Sequence, residues 1–358
     1  MEIKEEIKNW IDGKVNAVGF APVDRFGEAP ENRHPEHMFQ TEITRILGIE
    51  YPIIGGTMMW ITNADFAAAI SNAGGLGIIS SPMYQTRAEF ATAIERAREL
   101  TDKPFAVNIN LFPTQRPVDN KEYVEIMIEK GVKIVETSGH SAPQDLCERF
   151  KEAGMTWMHK CVGIRYALKV QNMGADIVTV VGYENGGATG KLDLGTLVLV
   201  PCVVDAVKVP VIGGGGVSDG RGFLSVLSLG AQGLIIGTRL MTTKECPIHE
   251  KLKNALLAAT EIDTTLVMRS INATHRVWSN AAAQRCQDQE ACSAPLEELL
   301  NIVSGENAKR MYEEGDLYAG IISCGQGVGL CHDIPTVKQL FDRIIDQAKE
   351  VASRFDLN

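Results

Sequence analysis

Short runs of apolar residues rich in Val and Ile recur from Tyr51 onward, and each is followed by a longer stretch in which apolar residues return every three or four positions. A continuous apolar run reads as a strand buried on both faces, and a period near 3.6 reads as an amphipathic helix. The runs predict strands over 51–58, 76–80, 105–111, 132–138, 156–162, 176–182, 209–213 and 233–237. Helical spacing fills the intervals, over 63–72, 87–100, 120–130, 143–153, 164–173, 192–207 and 220–229. Such alternation implies a parallel sheet covered by helices, an α/β fold. Eight units favour closure into a (β/α)8 TIM barrel over an open doubly wound sheet of about five or six strands.

Three segments stand outside the repeat. Residues 1–40 form a polar N-terminal extension in which Ile3, Ile7, Trp10 and Ile11 mark a short amphipathic helix. Residues 247–320, after the eighth strand, read as a charged helical insertion, and the barrel is expected to span 41–246 and 321–358. A last helix over 335–355 begins near Asp333 or Thr336, either of which can cap it.

Composition narrows the function classes. The 35 Lys and Arg against 45 Asp and Glu give a net charge of −10 with no long basic run, which disfavours nucleic acid. The longest strongly apolar stretch without a charge, 194–204, is far shorter than the roughly 18–20 residues of a membrane span. With five charges in its first ten residues the N-terminus does not read as a secretory signal, so a cytoplasmic protein is expected. The eight cysteines include no C-x-x-C pair, so no zinc or iron–sulfur site is expected and the thiols read as reduced and packed. Cys324 and Cys331, flanking a glycine-rich loop, are the pair worth testing for reactivity.

The chemistry lies in where the glycines fall. In a TIM barrel the loops after strands seven and eight commonly bind phosphate. Here they read Gly213-Gly214-Gly215-Gly216-Val217-Ser218-Asp219-Gly220 and Gly237-Thr238-Arg239. Missing Cβ atoms let backbone N–H groups approach an anion at a helix N-terminus. The phosphate could belong to a sugar or to a flavin mononucleotide, and other strand ends favour the flavin. Gly55-Gly56-Thr57-Met58 would let backbone lie against a planar ring, and Asn108 offers a donor and an acceptor to a ring edge. Lys160, in an apolar strand, can stabilise negative charge on a reduced flavin, and Gly186-Gly187 follow strand six. His159 should point away from the side of Lys160.

These motifs, with Gly182-Tyr183-Glu184-Asn185-Gly186-Gly187 and Gly325-Gln326-Gly327-Val328-Gly329-Leu330, resemble the flavin-dependent barrels that include nitronate monooxygenases and FMN-containing enoyl-acyl-carrier reductases. The resemblance implies an FMN held through Thr57, Met58, Asn108, Lys160, Asp176, Gly186, Gly187, Gly215, Gly216, Gly237 and Thr238, with Gln326 near the ring. It departs at one position. The family's strand-six loop usually reads G-x-E-A-G-G-H-x-G, its histidine acting as acid or base, whereas here Ala188 follows Gly187. Ala188 cannot move a proton. His140, closing strand four, either substitutes for that histidine or caps the next helix, and Tyr183 and Glu184 are secondary polar candidates. Residues 18–26 also resemble the opening of iron–sulfur reductases of the epoxyqueuosine kind, without a cluster-type cysteine run.

The reading favoured is an FMN-dependent oxidation of alkyl nitronates with O2, because a nitronate is already an anion and needs no base. An NAD(P)H-dependent FMN reductase of an enoyl thioester or quinone is the alternative, and a flavin-binding barrel without turnover the third. The partner expected is a small-molecule substrate, and a homodimer is possible on this reading.

Overall fold

The structure, a computed structural model, describes residues 39–111, 119–139 and 142–355. His140 and the N-terminal extension up to residue 38 lie outside the described residues.

The strands in chain order are β1 Ile53–Gly55, β2 Gly77–Ser80, β3 Phe105–Asn110, β4 Ile134–Ser138, β5 Thr156–Cys161, β6 Ile177–Val181, β7 Gly187–Ala188, β8 Val211–Gly214, β9 Gly233–Ile236, β10 Thr264–Val267 and β11 His275–Trp278. Eight of them form one parallel sheet in the order β1-β9-β8-β6-β5-β4-β3-β2. A parallel bridge between Ile54 and Leu76 closes the ring, with Leu76 N donating to Ile53 O and Gly55 N to Leu76 O, both at 2.9 Å. The expected TIM barrel is present, and all eight expected strands supply its staves.

Side-chain alternation splits the core into two layers. Ile54, Ile78, Ala106, Ile134, Met158, Ile177, Ile212 and Ile235 fill the barrel interior. Ile43 and Leu47 of the helix Glu42–Leu47 join that cluster and close the bottom, where Thr41 donates to Gln232 O beside the start of β9. The outward residues, among them Val107, Val135, Trp157, Val178 and Val211, pack beneath the surrounding helices. Thr86 and Thr336 cap the helices Arg87–Leu100 and Val337–Ser353 through reciprocal bonds with Glu89 and Gln339, so Thr336 rather than Asp333 starts the last helix.

The segment 247–320 is not wholly helical. Between Glu250–Ala258 and the run Ala281–Ala291, Leu296–Val303 and Gly305–Glu314, β10 and β11 form an antiparallel hairpin, and β11 also pairs with β7 from the barrel. Each strand has four residues, too few to show a period of two within a charged stretch.

Candidate active site

A polar cluster stands inside the barrel above the apolar plug, toward the C-terminal ends of the strands. Glu136, fully buried on β4, is its centre. Its Oε2 accepts from Thr57 Oγ1 at 2.6 Å and from Asn108 Nδ2 at 2.7 Å. Among the described residues its Oε1 has no hydrogen-bond partner, and it lies 3.9 Å from Lys160 Nζ. Asn108 also donates to Ser138 Oγ at 3.1 Å. Parallel register explains the convergence, because Asn108 is level with Glu136, Ser138 with Lys160, and Lys160 with Thr179 on adjacent strands. Thr179 Oγ1 is a second buried polar atom without a partner among the described residues. A lysine in this position keeps its ammonium at the barrel mouth, with its neutralising carboxylate beneath it.

His159, one residue before Lys160, faces the other way as expected. Its Nδ1 is 2.7 Å from Thr137 Oγ1, which also accepts from Trp157 Nε1. Burial, reinforced by the Lys160 charge, pulls its pKa down to about 4. His159 is a neutral residue of the outer layer.

The loops after β8 and β9 form a half-buried cradle beside this cluster. Gly215 and Gly216 have φ of +114° and +72°, a region that favours glycine. Among the described residues no chain acceptor takes the N–H of Gly215, Gly216 or Gly237. Among the described residues a Cβ at Gly237 would meet only Met58 Sδ, at 3.9 Å, so no described neighbour requires glycine there. Thr238 Oγ1 accepts from Gly325 N at 2.9 Å and keeps its own hydrogen to donate. The loop bearing Gln326 closes the side of the cradle, with Gln326 N on Glu184 O and Ser218 Oγ on Gly327 O.

Several expectations are corrected by this geometry. Asp176 is not at the mouth. It precedes β6 at the opposite end of the barrel, where its carboxylate accepts from Trp157 N at 2.8 Å. Gly55 faces outward, and a Cβ there would come within 2.7 Å of Ile70, so it serves helix packing. The helix Gly220–Ser228 offers no vacant N-terminus, because Asp219 accepts from Arg221 N and Gly222 N and Gln347 accepts from Gly220 N. An anion in the cradle would therefore rest on loop amides rather than on that helix. Arg239 is buried and ion-paired with Asp333 at 2.5 Å. Burial opposes ionisation of Asp333, but Arg343 and Arg239 together hold its carboxyl below the usual range. Glu184 caps the helix Thr196–Ala206 through Thr196 N and Oγ1, and Tyr183 lies under the Arg276 guanidinium at 4.5 Å. Gly186 is required by the chain itself, since a Cβ would come within 2.8 Å of Cys324 N and Gly325 N.

Cys324 and Cys331 are buried, and burial pushes both thiols up. Neither is a reactive thiolate. A thiol reagent added to the folded protein is expected to label the exposed Cys202 and Cys292, while Cys324 and Cys331 react only after denaturation. Mass spectrometry of the labelled peptides reads the difference, and rapid native labelling of either buried thiol would contradict it.

The family model for nitronate monooxygenase matches residues 40–347, most of the chain and all eight barrel strands. This chain belongs to the nitronate monooxygenase family. It is 28% identical to a probable nitronate monooxygenase of Staphylococcus saprophyticus, over 88% of this chain and 99% of that one. It is 32% identical to a Rhodococcus jostii protein named (3aS,4S,5R,7aS)-5-hydroxy-7a-methyl-1-oxo-octahydro-1H-indene-4-carboxyl-CoA dehydrogenase, over 86% of this chain and 96% of its relative. Among solved structures FabK from Thermotoga maritima superposes with a TM-score of 0.82 at 33% identity, covering 88% of this chain and 98% of that one. The chain is thus an FMN-dependent oxidoreductase of the nitronate monooxygenase type. No helix among the described residues is long and apolar enough to cross a membrane.

The site fits FMN on its own geometry. Three loop amides without acceptors and the space over Gly237 suit a phosphate, and the orphaned buried oxygens of Glu136 and Thr179 beside Lys160 suit a polar ring edge.

Proposed function

We propose that Gly215, Gly216, Gly237 and Thr238 hold the phosphate of FMN, that Thr57, Met58, Asn108 and Lys160 receive its ring, and that the enzyme oxidises alkyl nitronates with O2. Bound FMN supplies electron acceptance. The chain's part is to place an anionic substrate beside it and to exclude water. The observation that carries this reading is Lys160, a cation fixed at the mouth by a carboxylate that is itself fully buried. Held there, it attracts an anion without having to reorganise. Ala188, at the loop position where the resembling pattern has a histidine, suits a substrate that arrives already deprotonated.

A second reading is oxidation or reduction of a CoA thioester, with NAD(P)H as the donor in the reductive direction. The 32% identity to the Rhodococcus carboxyl-CoA dehydrogenase favours it. Anaerobic mixing of the yellow holoenzyme separates the two. Bleaching of the flavin absorbance by ethylnitronate, with none by NADH or NADPH, is the expected result. Prompt bleaching by a pyridine nucleotide or an acyl-CoA would favour the second reading, bleaching by none of them a barrel without turnover, and a colourless protein that takes up no FMN would remove all three.

A further inference from the structure

The ion pair inside the barrel is divided between two levels. Glu136 is level with Asn108 on β3, and Lys160 stands one inward-facing step higher, level with Ser138 and Thr179. The carboxylate is fully buried, whereas the lysine side chain keeps 23% of its surface exposed at the mouth. The hydrogen bonds of the cluster gather around the carboxylate. The Thr57 hydroxyl and the Asn108 amide N–H groups are taken up by Glu136 Oε2 and Ser138 Oγ. Thr57 and Asn108 are thereby left with acceptor lone pairs, and the positive end of the cluster is Lys160.

A charge pair in this arrangement acts on whatever gains electrons at the mouth. The ammonium favours added negative charge and the carboxylate opposes it, each more strongly as the surrounding dielectric falls. Both charges are in place before an electron arrives, so their effect is not lost to reorganisation. Burying a carboxylate carries a desolvation penalty, and a counter-charge 3.9 Å away weakens the pull of Lys160 on any anion. A lysine that served only to attract an anion would act more strongly without it. Glu136 therefore has a role other than anion binding.

We propose that Glu136 sets the reduction potential of the bound FMN, holding it below the value that Lys160 alone would give. Fully buried and a level below the mouth, it acts through the lysine charge that it fixes and offsets, as a positioning residue. A cofactor held lower takes electrons only from more strongly reducing donors and hands them on more readily, so the pair limits which donors the enzyme accepts. The proposal rests on the placement of the ring beside Lys160 given above, and adds the group that fixes the electron affinity of that ring.

Anaerobic potentiometric titration of the holoenzyme against a reference dye tests it, with FMN content and thermal unfolding followed on the same samples. In a variant that binds the cofactor weakly, the ratio of affinities for oxidised and reduced FMN reads the same shift. Glu136→Gln keeps an acceptor for Thr57 and Asn108 but removes the charge. Its potential is expected to rise by at least about tenfold in the reduction equilibrium, roughly 30 mV for a two-electron couple. Lys160→Met should shift the potential the opposite way. Glu136→Asp keeps the charge on a shorter arm, so it should melt lower and yet hold a potential near that of the unsubstituted enzyme. An unchanged or lowered potential in Glu136→Gln overturns the proposal. So does a rise in Glu136→Asp as large as that in Glu136→Gln, which would assign the effect to lost packing. The reading beneath it fails separately: if Lys160→Met binds FMN at an unmoved potential, the ring does not lie beside Lys160, and a protein that takes up no FMN removes both.

Discussion

Replacing Glu136 by alanine is expected to lower the stability of the fold by roughly 3 kcal/mol and to release FMN, whereas Glu136→Gln should do neither to a comparable extent. The reason lies in how the two carboxylate oxygens divide their work. Oε2 takes both hydrogen bonds, from Thr57 and Asn108, and Oε1 takes none while facing the Lys160 ammonium. Alanine leaves a buried hydroxyl and a buried amide without their acceptor and an ammonium without its counter-charge. Glutamine with its carbonyl at the Oε2 position keeps both bonds, removes the charge and turns its amide N–H groups toward the Lys160 ammonium. Thermal unfolding and FMN retention on gel filtration measure the two variants side by side. Equal loss in both would mean that the charge, not the hydrogen bonding, holds the cluster together. No loss in alanine would show that the cluster organises nothing.

Glu136 also shows where sequence stops short. The eight strands are legible because a stave buried on both faces is a short, mainly apolar run; Gly233–Ile236 is apolar throughout, and Thr156–Cys161 carries His159 and Lys160 among apolar neighbours. Parity along those runs already separates Lys160 from His159. What parity cannot supply is level. Glu136 meets Asn108 and Lys160 only because three strands stack in one register, and register between parallel strands is set by barrel closure rather than by any local signal. A charge inside the run Ile134-Val135-Glu136-Thr137-Ser138 was nevertheless a clue, since an ionised residue is rarely fully buried without partners. Asp219 failed differently. An Asp before a helix is a cap signal, and reading the neighbouring glycines as an anion site at that helix overlooked that the side chain already fills it.

Two glycines of the cradle should respond in opposite ways to the same added methyl group. At Gly215 an alanine must adopt φ near +114°, and its Cβ would sit 2.6 Å from Thr196 Oγ1 and 2.8 Å from Gly182 N. Thr196 cannot swing aside cheaply, because its hydroxyl bonds Glu184 and the carbonyls of Gly214 and Gly215. The loop would have to move, at a strain of about 1–3 kcal/mol, so Gly215→Ala is expected to lower the melting temperature of the FMN-free protein as well as its affinity for FMN. At Gly237 the chain leaves room for the methyl, with Met58 Sδ at 3.9 Å as the nearest neighbour. Gly237→Ala should therefore melt like the unsubstituted FMN-free protein and yet bind FMN at least about tenfold more weakly, a difference of roughly 1.4 kcal/mol, because the space it fills is the ligand's. Flavin fluorescence quenching gives the affinities and calorimetry the melting temperatures. If Gly237→Ala binds FMN as tightly as the unsubstituted protein, the phosphate does not lie over that glycine and the cradle must be reassigned to Gly215 and Gly216 alone.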